Sequence, residues 1–128
     1  MGQQQLLLII LGVIIVGVAI AVGISMFSGQ SVAANRDAII TDLNNLGSDA
    51  YQFKIRPTSM GGGNGTFAGY TVPTAWGASN PNATYTITTQ TATQLSLKGA
   101  SKQVDAATVV ITFDGNGTVT AGPTAAGF

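Results

Sequence analysis

Asp114, Asn116 and Thr118 place oxygen-bearing side chains at every second position, which is how a calcium-binding loop opens. An EF-hand would need Gly at the sixth position of that loop and Glu at the twelfth. This chain has Val119 and Ala125 there, so Asp114-Gly115-Asn116-Gly117 reads as a hairpin turn. Three triplets match the N-glycosylation sequon and make Asn64, Asn82 and Asn116 candidate attachment points. Turn-rich and threonine-rich sequence yields such triplets through its own turn chemistry. Residues 84–93 could carry O-linked sugar, but strand propensity with a wettable outer face accounts for their threonines more simply. The run Gly61-Gly62-Gly63-Asn64-Gly65 lacks the Lys and the strand-to-helix setting of a phosphate-binding loop.

The five carboxylates, Asp37, Asp42, Asp49, Asp105 and Asp114, form no acid and base pair at a shared site. Asp105 with Lys102, and Asp49 with Lys54, read as surface charges. The chain has no His, no Glu and no Cys, which removes the commonest general base, the commonest metal ligand, disulfides and thiolate chemistry. Phe27, Tyr51 and Phe53 read as packing residues and not as an electron path. No catalytic, cofactor or metal constellation emerges, and the expectation is a protein that is not an enzyme. Five basic residues balance five acidic ones, leaving no electrostatic footprint for nucleic acid.

The chemistry therefore lies in burial, and one stretch dominates it. Residues 6–27, LLLIILGVIIVGVAIAVGISMF, hold no charge and no proline, and their only polar side chain is Ser25. As a helix they would cover roughly 33 Å, close to the ~30 Å hydrocarbon thickness of a bilayer. Sixteen large apolar side chains run all the way round that helix. Leaving them in water would forfeit on the order of 25 to 45 kcal/mol, and the rest of a 128-residue chain cannot enclose them. Their cover must come from outside the chain. Ala19 and Gly23 have the small-xxx-small spacing that lets helix backbones approach. A cleavable secretory signal fits poorly, because no Lys or Arg occurs before Arg36. A lone membrane anchor, or a helix that rests in lipid and is later buried among its own copies, remain as readings.

From Ser28 the pattern becomes amphipathic. Val32, Ile39, Leu43, Leu46, Ala50 and Phe53 recur at helical spacings, while Asn35, Arg36, Asp42, Asn45, Asp49 and Gln52 are expected on other faces. One helix is expected to run from near Met1 to about Ile55, stopped by Pro57. Residues 57–82 read as loop, with a short extended piece at 67–72 and Trp76 packed onto the domain. Residues 84–88, 94–98, 107–113 and 118–120 alternate as strands. Three to four antiparallel strands with one apolar face, covered by the amphipathic half of the helix, make an α+β head. The expected division is an apolar helix, 1–27, and a head, 28–128, made of helix 28–56, loop 57–82, sheet 83–121 and a tail 122–128 held by packing or loose.

An uncharged, all-round apolar N-terminal helix that continues into an amphipathic half and then a Gly- and Thr-rich antiparallel sheet resembles bacterial type IV pilins and their pilin-like relatives. At residue level the likeness lies in MGQQQLLLIILGVIIVGVAIAVGISMF. The resemblance implies a subunit that waits in the inner membrane, is extracted by the pilus assembly machinery and stacks with copies of itself into an extracellular, cell-surface helical filament for adhesion or motility. It would place Leu6, Leu7, Ile10, Leu11, Ile14, Val18, Ile24 and Phe27 in the filament core. Typical members carry Glu at the fifth mature position, thought to pair with a neighbouring N-terminal amine. If Met1 is mature position one, this chain has Gln5, which could accept a hydrogen bond but form no ion pair. A cut after Gly2 would instead put Leu7 at that position. The cysteine pair that closes the C-terminal loop in many pilins is absent. The expectation is a major filament subunit, with a minor pseudopilin of a secretion machine and a monomeric membrane-anchored binding domain as rivals.

Overall fold

The computed structural model describes residues 2–73 and 79–128. Met1, and Trp76 with the packing role expected of it, lie outside the described residues. The fold is α+β: helix α1 (Gly2–Ile55) packs on an antiparallel sheet of β1 (Ala83–Gln90), β2 (Leu95–Ser101), β3 (Thr108–Phe113) and β4 (Val119–Ala126). The strands follow chain order, β1-β2-β3-β4, each hydrogen-bonded to the next. Two compact units make up the chain, Met1–Val32 and Ala33–Phe128. The second is the head.

Its core begins with α1. Ile39, Leu43, Leu46 and Ala50 recur every three or four residues, so they form one stripe, and all are fully buried. They meet Tyr85 of β1, Leu95 and Leu97 of β2, and Val109, Ile111 and Phe113 of β3. Helix and sheet come close enough to demand glycine at two points. The Phe113 ring occupies the space a Cβ on Gly47 would need, and a Cβ on Gly99 would lie 2.6 Å from the Ile39 Cγ2 methyl.

Asn35, Asp42 and Asp49, expected on faces other than the apolar stripe, adjoin it instead. They repeat every seven residues and so lie along one edge of the apolar stripe, where each binds the rest of the head. Asn35, buried, donates to the Asn82 carbonyl at 3.3 Å and accepts from the Ser101 hydroxyl at 2.6 Å. Asp42 accepts from Asn80 Nδ2 at 2.9 Å and from the Tyr85 hydroxyl. Asp49 accepts from the Tyr70 hydroxyl at 2.9 Å. Burial, followed by the hydrogen bond to a carboxylate, pushes both tyrosines well above the ordinary tyrosine range. Asp49, which reads from the sequence as a surface charge beside Lys54, is engaged instead by a tyrosine 21 positions away. The one ion pair among the described residues, Arg36 to Asp37 at 3.6 Å, is exposed and worth little.

α1 ends at Ile55 ahead of Pro57, as the restriction on a residue before proline requires. The glycine run then folds back over the helix end. Gly63 N–H donates to the Phe53 carbonyl at 2.8 Å, Gly65 to Lys54 at 2.6 Å, and Asn64 to Arg56 at 3.0 Å. Carbonyls that a helix terminus leaves orphaned are satisfied in this way. The extended piece expected at 67–72 is not a strand. Phe67 and Tyr70 are buried around a turn closed by Tyr70 N–H to the Phe67 carbonyl, and the Gln90 side-chain amide donates to both carbonyls at 2.7 Å.

The sheet also extends past 121. Most of the expected tail belongs to β4, which pairs with β3 from Val119 opposite Phe113 to Ala126 opposite Thr108. Pro123 is tolerated because β4 is an edge strand and the register shifts opposite Ile111. Phe128 packs against the core.

Two measurements probe this packing. Gly47→Ala should lower stability by about 1–3 kcal/mol in urea unfolding of the detergent-solubilised chain, and Phe113→Leu in the same chain should recover part of it. An unchanged midpoint would contradict the close contact. The tyrosines stabilise the head while neutral, so their contribution is complete below about pH 10 and is lost as pH rises toward their raised values. Alkaline unfolding should therefore begin near pH 10 and be shallower in the Tyr70→Phe, Tyr85→Phe double variant; identical alkaline slopes would refute the assignment.

Candidate functional site

A run of residues with no proline and no charge forms the first part of α1, and it is long and apolar enough to cross a membrane. Every large apolar side chain in it is exposed in the single chain, from 51% at Leu11 to 75% at Phe27. Leu6, Leu7, Ile10, Leu11, Ile14, Val18, Ile24 and Phe27 all belong to this surface, and Gln5 is exposed beside it. Successive residues of a helix are turned by about 100°, so these side chains point in every direction. No single groove could bury them all; the segment needs a surrounding medium or several partners.

Gly12, Gly17 and Gly23 have nothing within 4 Å of the place a Cβ would take. They are notches in an otherwise bulky apolar cylinder, open to a close-packing neighbour. The segment offers burial as its chemistry: it has no titratable side chain between Leu6 and Phe27.

The polar candidates fall elsewhere. Asn64 is exposed, with φ 51°, and Asn116 is exposed on the β3–β4 turn. Lys54 draws their loops to one end of the head: its carbonyl accepts from Gly65 N–H, and its ammonium donates to the Gly115 carbonyl. The same ammonium lies 5.2 Å from the centroid of the Phe67 ring, a cation–π contact. Asn82 is half-buried, and its carbonyl accepts from Asn35 and from Lys102 N–H. Lys102 also donates to the Ser79 hydroxyl.

Asp114 is occupied by its own turn. One carboxylate oxygen accepts from the N–H groups of Asn116 and Thr118, each at 2.9 Å, and the other from the Thr118 hydroxyl at 2.7 Å. These bonds, the Thr118 hydroxyl first, hold its carboxyl below the usual range. The alternation that resembled a metal loop is hairpin chemistry. Among the described residues no group of three or more His, Cys, Asp or Glu is placed to hold a metal ion. Phe53 and Tyr70 meet at 5.6 Å between ring centroids, in the core.

No family model, no curated protein and no solved structure matches the chain. The apolar segment of α1 was legible because it depends on no partner residue. Lys54 and Gln90, which pin the loops, carry no local pattern that would have marked them.

Lys54→Met keeps the side-chain stem and removes the ammonium. It should destabilise the head by about 1–3 kcal/mol and speed amide exchange at Asn116 and Gly117 before that of β2. Equal exchange at the turn in variant and parent would show that Lys54 does not hold it.

Proposed function

We propose that this chain is the major structural subunit of an extracellular helical filament of the type IV pilus kind. The observation that carries the reading is the exposure of an uncharged apolar helical segment on every side, in a chain whose head builds its own core from other residues. Such a segment has two suitable surroundings: lipid, and a bundle of its own kind. A subunit that passes from the first to the second polymerises with little change in the solvent its side chains feel. Packing, close backbone approach at Ala19 and Gly23, and the exclusion of water then hold the copies together.

Each copy meets others through different surfaces, which makes the contact heterologous and open-ended, the condition for a filament. Gln5 supplies an acceptor or donor at the otherwise uncharged start of the helix and could bond an amine or amide of a neighbouring copy. The head has no part in chemistry under this reading; it forms the wall.

Shearing cells should release the protein as polymers visible by electron microscopy without detergent. Recovery only as detergent-soluble monomers would favour a membrane-anchored domain and defeat the filament reading. Ile14→Asp should reduce polymer at least tenfold, since a buried unpaired carboxylate costs several kcal/mol. Membrane-bound protein is measured alongside, because the same charge impairs insertion. Normal filaments from this variant would contradict burial of the helix.

A further inference from the structure

Residues directly opposed across an antiparallel pair point to the same face of a sheet. Val119 lies opposite Phe113 and Ala125 opposite Val109, so both belong to the side of the sheet that α1 covers. Phe113 and Val109 are 4% and 0% exposed, yet Val119 is 46% exposed and Ala125 is open as well. The buried strand residues stop at β3. A helix is ~10 Å across and strands are ~4.8 Å apart, so one helix shields about three strands. The fourth strand is left bare on the face its neighbours use for packing.

The chemistry of that strip is narrow. β4 reads VTAGPTAA, with no charge and no side chain larger than valine. A second backbone can come close to it, and nothing on it would compensate a charged partner. Strand addition at its free edge is disfavoured, because Pro123 has no N–H and the pairing with β3 is irregular on both sides of Thr112. What fits beside α1 is another helix, uncharged and apolar.

We propose that the bare side of β4 is the seat for residues 6–27 of a second copy, laid over Val119 and Ala125. The inference rests on the filament reading and names one of its contacts. The chain supplies the occupant itself: an uncharged apolar helical segment, exposed all round, able to bury an apolar side on the sheet as the stripe of Ile39, Leu43, Leu46 and Ala50 does on β1 to β3. A neighbour seated there buries one side of its apolar segment on the head and leaves its other sides for further helices.

The chain has no cysteine, which makes cross-linking specific. Val119→Cys and Ala125→Cys change exposed side chains and can each be combined with Ile10→Cys, Ile14→Cys, Val18→Cys or Val22→Cys in the full chain. Sheared polymers are oxidised and the linked peptides identified by mass spectrometry. The expected result is a covalent ladder in at least one combination, with peptides joining position 119 or 125 of one copy to the helix of another, and no ladder in the single variants. Polymers that form but give no mixed link at any of these positions overturn the proposal. Ala125→Cys linking to itself overturns it too, since that would seat strand on strand. If the unsubstituted chain forms no polymer, the filament reading fails first and this contact falls with it.

Discussion

The whole head depends on one stripe of one helix. Ile39, Leu43, Leu46 and Ala50 are the floor on which β1, β2 and β3 rest, and the chain has no cysteine from which a disulfide could add to it. A contact that small must be close. Gly47 and Gly99 make it so by removing side chains where the helix and sheet would otherwise hold each other apart. The polar line of Asn35, Asp42 and Asp49 adds direction to what burial leaves undirected, because hydrophobic contact alone would let the helix turn about its axis. A seven-residue repeat drifts by only about 20° per step, so the three residues hold one edge of the stripe through two heptads.

How much of this was legible follows from how far each feature looks for its partners. The stripe, the stop before Pro57 and the alternation in 84–88 and 107–113 are properties of neighbouring residues, and the fold class could be read from them. Asn35, Asp42 and Asp49 read as lying on other faces than the apolar stripe, because polarity stands in for position when the partner is unseen. Tyr85 is 43 positions from Asp42, and Asn82 is 47 from Asn35. β4 was under-read for a different reason: VTAGPTAA has no alternation and contains both strand breakers, so only its pairing with β3 makes it a strand. The apolar segment of α1 was fully legible, since a helix satisfies its own backbone and needs no distant residue to exist.

The two units differ in what they leave unfinished. The head closes its polar accounts internally: no buried side-chain polar atom among the described residues lacks a partner, and Asp42, Asp49 and Asp114 are all engaged by hydrogen bonds. The apolar unit pairs its interior backbone groups within the helix but leaves its surface uncovered. Its requirement is for surroundings that cover apolar side chains on every side.

The placement of the basic side chains carries one more consequence. Proteases that cut after Lys or Arg need an extended, accessible segment around the bond, and this chain grants them few. Arg36 and Lys54 lie within α1, Lys98 is in the central strand β2, and Arg56 is followed by Pro57. Lys102, in the β2–β3 connection, is exposed and is not followed by proline. Residues 2–35 contain no such site at all. At Arg36, Lys54 and Lys98, digestion by enzymes of that specificity would have to wait for the helix or sheet to open, at a rate set by local unfolding.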